Sequence, residues 1–114
     1  MSSRVTLSLA DAQSAPNRDI GIYRHLLTPE SVGAKGFSLC VNTLFAGIRT
    51  PELTRTTEQG WYIISGSGYF VINGTAHRIE PGTAIFAPDD GGHHRFEVDS
   101  GAELTYVIVF SPPK

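Results

Sequence analysis

The residues best equipped for chemistry cluster between Gly47 and His93: Arg55, Gln59, Tyr62 and His93. They fall in two glycine-bounded segments. In the first, Gly47 is followed by five residues, then Leu53, Thr54 and Arg55, three residues, Gln59, six residues and Gly66. In the second, Gly82 is followed by five residues, then Pro88, Asp89 and Asp90, two residues and His93. An imidazole gives and takes protons readily near neutral pH, so His93 is the expected proton-transfer residue, with Gln59 and Tyr62 beside it as orienting groups. The bland reading makes it a satisfied core histidine. Arg55 carries a permanent cation that can grip a carboxylate at two points, which suits a small acidic metabolite. Its competing reading is a strand-end residue whose stem covers apolar surface while the charge reaches solvent.

These residues need strands to position them. Short runs rich in Val, Ile, Phe, Tyr and Thr, punctuated by twelve glycines and seven prolines, predict an all-β barrel or sandwich. Val5, Leu7 and Leu9 alternate as an edge strand would, and 10–18 reads as a loop or a single helical turn. Phe37, Leu39, Val41, Thr43 and Phe45 share one strand face, and Ser38, Cys40 and Asn42 take the other. Asn73-Gly74 predicts a tight hairpin between Gly68 and Ile79. Further strands are expected at 83–87, at 93–98 and at 104–110.

If the segment from Leu53 to Ile63 is extended, Leu53, Arg55, Thr57, Gln59, Trp61 and Ile63 share a face and Glu58 points the other way. The same parity sends His93 and His94 in opposite directions. Trp61, Phe86, Tyr106 and Phe110 are expected to join Leu53 and Thr57 in lining an apolar pocket. Asp89 and Asp90 beside Gly91-Gly92 read as turn residues, and His77 as an exposed or cross-strand residue on a hairpin strand.

A chain of 114 residues fits one domain, with the core barrel at about 36–111. An apolar fraction of 40%, 18% charged residues and a formal charge of -2 describe an ordinary globular protein without the basic surplus that gathers phosphates. Neither nucleic acid nor a membrane is an expected partner. No apolar run approaches a membrane span and no secretory h-region follows Met1, so a cytoplasmic location is the expectation. Cys40, the single cysteine, sits between Leu39 and Val41 and is expected to be a buried structural thiol.

Both half-motif spacings resemble those of the cupin superfamily, which implies a double-stranded β-helix with the Leu53–Ile63 face turned into the barrel. Cupins bring three histidines and a glutamate onto one divalent metal at these positions. Here the same positions read Leu53, Arg55, Gln59 and His93, and motif spacing places His93 inside and His94 on the surface. Leu53 has no donor atom and the Arg55 charge repels a cation, so no high-affinity metal site is expected. Iron, manganese, nickel or zinc, if bound, is expected on Gln59 and His93, or at a displaced site that recruits Glu52, Glu58, His77 or His94 or is completed by substrate.

Over most of its length the chain resembles the ectoine synthase branch. The similar pieces include Arg24-His25-Leu26-Leu27, the run from Gly36 to Gly47, Tyr62 to Gly68, Ile79-Glu80-Pro81-Gly82-Thr83 and Val109 to Pro113. Those enzymes are iron-dependent lyases that close a ring with loss of water, and their ligand positions fall on Gln59, Ile85 and His93 here. The resemblance implies a homodimer and a lyase, cyclase or isomerase acting on a small, carboxylate-bearing metabolite. Loss of the usual ligands implies a second hypothesis, a non-catalytic cupin that binds or senses a small molecule. A metal-dependent enzyme with a displaced site is the third.

Overall fold

The computed structural model describes residues 6–54 and 57–113. Its strands run β1 Gln13–Asn17, β2 Gly21–Leu27, β3 Ser38–Leu44, β4 Leu53–Thr54, β5 Glu58–Ser65, β6 Gly68–Ile72, β7 Thr75–Ile79, β8 Ala84–Ala87, β9 His93–Val98 and β10 Leu104–Ser111. A short helix, α1 Pro29–Val32, follows β2. It starts at Thr28, whose hydroxyl accepts the Ser31 N–H, and stops at Gly33 with φ 71°, a left-handed angle that glycine adopts without strain.

Two antiparallel sheets face each other, one ordered β1-β2-β3-β10-β5-β8 and the other β4-β9-β6-β7. This is the double-stranded β-helix expected from the sequence. Inward residues of both sheets meet in one apolar core that includes Trp61, Ile63, Phe70, Ile79, Phe96, Leu104 and Ile108. Alternation along β5 decides the facing: Gln59, Trp61 and Ile63 are buried, whereas Glu58, Tyr62 and Ile64 are exposed. The hairpin turn carries positive φ at Asn73 (48°) and Gly74 (83°), the pairing that matches the twist of its strands. Glycines permit close backbone approach between neighbouring strands. A Cβ on Gly21 would stand 2.0 Å from the Thr43 carbonyl oxygen, and one on Gly68 would stand 2.1 Å from that of Glu97.

The N-terminal segment departs from expectation. Gln13–Asn17, within the stretch expected to be a loop or a single helical turn, is β1, and among the described residues it pairs only with β2. At a sheet edge a proline gives up no ladder bond that a neighbour needs. The alternation that began at Val5 does not continue as a strand, because Leu7 is irregular and Leu9 opens a 3-10 turn, while Val5 lies outside the described residues. Among the described residues, no helix is long and apolar enough to cross a membrane.

Candidate functional site

A cavity of about 360 Å³ lies between the sheets. Its apolar lining comes from Leu44, Trp61, Phe96, Ile108 and Phe110, with Leu53 at the rim. Its polar lining comes from Tyr23, His25, Asn42, Thr50, Gln59, His94 and Tyr106, with Asn17 and the exposed Arg18 beside them. A larger surface depression of about 590 Å³ runs past Asp19, Ile48 and Glu52 to Arg95. Arg95 is held there by Glu52 and Glu97, so its charge is already paired. The inner cavity therefore has the stronger claim, since mostly apolar walls with a few converging polar groups are what a small organic ligand requires.

The two histidines exchange the places assigned to them from motif spacing. His94, 3% exposed, faces the cavity, and His93 is exposed on the opposite face of β9. The cause is packing. Phe96 and Val98 are the apolar residues of β9, and they pair with Phe70 and Gly68 of β6 on the inner side. His94 shares their parity. Its ring stacks on Phe70 at 5.5 Å and meets the edge of Trp61 at 5.3 Å. Outside, His93 Nδ1 lies 3.3 Å from the Thr54 hydroxyl, and its backbone N–H donates to Asn73 Oδ1.

Gln59, Trp61, Tyr106, Phe110 and Leu53 all line the cavity. Thr57 is buried beside it and accepts the Gln59 side-chain N–H at 3.1 Å. Tyr62 and Phe86 do not belong to the cavity. Tyr62 is 52% exposed on the outer face of β5, and Phe86, 63% exposed, sits opposite Gly60 on the same outer side. Strand parity accounts for both: Tyr62 alternates with Trp61, and Phe86 alternates with Ala87, which is fully buried. Arg55 lies outside the described residues. His77 is exposed on β7, and Asp90 accepts the Gly92 N–H as a turn residue does.

Tyr23, His25 and Asn42 are not among the candidate site residues of the sequence, because the two glycine-bounded half-motifs lie outside β2 and β3. The available signal was parity: Asn42 shares a face with Cys40, and the register sets Cys40 opposite His25. Cys40 Sγ lies 3.4 Å from His25 Nδ1, and Tyr23 packs against the His25 ring at 5.7 Å. Burial pushes the Cys40 thiol up, away from the thiolate that a nucleophile needs. Burial also pushes the Tyr106 phenol far above the ordinary tyrosine range, with Asn42 beside it acting weakly in the opposite sense.

At the described motif positions the donors are too few to hold a divalent ion without further ligands. At the motif positions the donors facing the cavity are one imidazole, His94, and one neutral amide, Gln59, while Leu53, paired with His94 in register, adds none. Among the described residues, no three His, Cys, Asp or Glu side chains come together as a metal-binding group.

A family profile described as "AraC-like ligand binding domain" matches residues 45–113. No curated protein matches the chain significantly. Among solved structures, the chain is similar to the polyketide cyclase RemF from Streptomyces resistomycificus, at 25% identity and a TM-score of 0.79 over 99% of this chain and 83% of that one. It is similar to an RmlC-like cupin from Shewanella frigidimarina, with a TM-score of 0.82 at 12% identity over 98% and 94% of the two chains. An ectoine synthase from P. lautus gives a TM-score of 0.81 at 22% identity over 97% and 80%.

Proposed function

The chain belongs to the family of AraC-like ligand-binding domains, with a cupin-type fold that handles small molecules, and on that premise we propose that it catalyses ring closure or elimination in its inner cavity. One observation carries this reading: a buried imidazole, His94, faces a largely apolar space of about 360 Å³ that also holds Gln59. Imidazole is suited to shuttling a proton within a bound substrate, and apolar walls fold a flexible chain and exclude water. His94 takes the proton-transfer role that motif spacing assigned to His93. Gln59, tethered to Thr57, orients the substrate. A carboxylate on the substrate is the partner expected for Arg55. The similarity to a polyketide cyclase supports chemistry of this class.

Heptane-2,6-dione tests the reading, because its intramolecular aldol closure with loss of water yields 3-methylcyclohex-2-enone, whose formation is followed by ultraviolet absorption. Acceleration over buffer that disappears in His94→Leu and persists in His93→Leu is the expected result. The family description favours a second reading, a binding or sensing module without turnover. Saturable binding in the cavity with no acceleration of any ring-closing or dehydrating substrate would select it.

A further inference from the structure

The turn between β1 and β2 runs along the mouth of the cavity. Asn17, Arg18 and Ile20 belong to the cavity lining, whereas Asp19 lines the neighbouring surface depression. Backbone bonds fix this turn on both sides. The Ile20 N–H donates to the Asn17 carbonyl at 3.0 Å, the Ile20 carbonyl accepts the Phe45 N–H at 2.9 Å, and Asn17 pairs with Gly21 in register. Ile20 also packs against the apolar core. Arg18 is therefore carried on a pinned turn, with the exposed Pro51 and Leu53 also at the rim and His94 and Trp61 buried below.

Two observations single out this arginine. It holds φ 52°, and every other left-handed residue among the described ones is glycine or asparagine. Those residues adopt the angle with less strain, so an arginine here points to a role for its side chain. The second observation is that its charge is not used within the fold. Among the described residues, Arg49 pairs with Glu97, Arg78 with Asp99, and Arg95 with Glu52 and Glu97, while Arg24 donates to the Thr43 hydroxyl at 2.8 Å. Arg18 has no such partner among them, and none of the described Asp, Glu or Lys side chains lines the cavity.

We infer that Arg18 anchors a carboxylate of the ligand at the cavity mouth, so that the cavity takes a small organic acid with its apolar body turned inward against Trp61 and Phe96. A guanidinium donates two parallel N–H bonds to a carboxylate, a match that no neutral group of the lining offers. With the cation at the rim and the aromatic rings and His94 below it, the lining sets which end of the ligand enters first. This rests on the reading of the cavity as the small-molecule site and names the group by which the ligand is oriented. It gives Arg18, which lies outside both half-motifs, the anchoring role that the sequence suggested for Arg55.

The test uses two rigid probes of nearly equal shape, 1-adamantanecarboxylate and 1-adamantyl methyl ketone, with binding read by emission of Trp61, the single tryptophan and a cavity residue. Arg18→Asn removes the cation and keeps a residue that tolerates the left-handed angle, so the thermal midpoint should not fall. It is expected to weaken carboxylate binding roughly threefold to tenfold, less than a buried guanidinium would, while ketone binding changes less than about twofold. Arg55→Gln serves as the comparison and should change carboxylate binding less than Arg18→Asn does. Unchanged carboxylate affinity in Arg18→Asn, equal weakening of both probes, or a larger carboxylate loss in Arg55→Gln overturns the anchor and leaves the cavity reading standing. If neither probe binds the wild-type protein, both readings fall together.

Discussion

The motif strands β4, β5 and β9 and the flanking strands β2, β3 and β10 share one cavity but furnish it differently. From the motif strands come Leu53, Trp61 and Phe96, with Gln59 and His94 as the polar exceptions. From the flanking strands come Tyr23, His25, Asn42 and Tyr106, alongside the apolar Leu44, Ile108 and Phe110. In a cupin that keeps its metal ligands, the motif strands concentrate the polar chemistry. Here apolar side chains occupy much of that side, and β2, β3 and β10 add four hydrogen-bonding side chains of their own. A ligand in the cavity therefore meets apolar and hydrogen-bonding side chains from both sets of strands.

The largest expected effect removes the aromatic side. Trp61 packs against Phe70, Phe96 and His94, so Trp61→Ala should lose about 3–5 kcal/mol in denaturant unfolding. Tyr62→Ala, one residue along and on the outer face, should lose about 1 kcal/mol or less. Equal losses would break the assignment of inner and outer faces on which the comparison depends. Thr50 comes next, because its buried hydroxyl accepts the Phe96 N–H at 2.8 Å. Thr50→Val strands that donor within β9 and should cost about 1–3 kcal/mol by the same measurement.

The flanking strands make a prediction at alkaline pH. A phenol less acidic in the folded than in the unfolded protein holds its proton more tightly when folded, so the contribution of Tyr106 is complete below the unfolded pKa of roughly 10. Stability should fall as pH rises beyond that value, and Tyr106→Phe should flatten the fall. The smallest effect lies outside the cavity. The Arg78 guanidinium and the Ser67 hydroxyl hold the Asp99 carboxyl below its usual range. That stabilisation is present above the unfolded carboxyl pKa of roughly 3.9 and is lost as pH falls through the lower folded value. Both partners are largely solvent-exposed, so Asp99→Asn should alter the acid limb of a stability profile only slightly.

Much of the barrel was legible because its strands obey period two. Alternation put Thr57, Gln59, Trp61 and Ile63 on one face and the cupin resemblance turned that face inward, while the Asn73-Gly74 turn followed from the backbone angles that those residues tolerate. The site was legible only in part. Counting from Gly82 placed His93 inward, whereas the packing demands of Phe96 and Val98 place His94 there. Apolar alternation should have outweighed the count, since turning two large apolar side chains to solvent costs more than shifting a loop by one residue. Tyr62 is expected from the sequence as an orienting group and Phe86 as apolar lining, and parity turns both outward. Tyr23, His25 and Asn42 depend on the register of three strands far apart in sequence, and local pattern does not encode that register.

The most direct test follows the imidazole signals of the four histidines by NMR while 1-adamantyl methyl ketone is added. The account predicts that His94 and His25, which line the cavity, shift together in a saturable manner, while His93 and His77, which are exposed outside it, stay in place. A shift at His93 with His94 silent would contradict the inward placement of His94 and, with it, the proposed chemistry of the cavity.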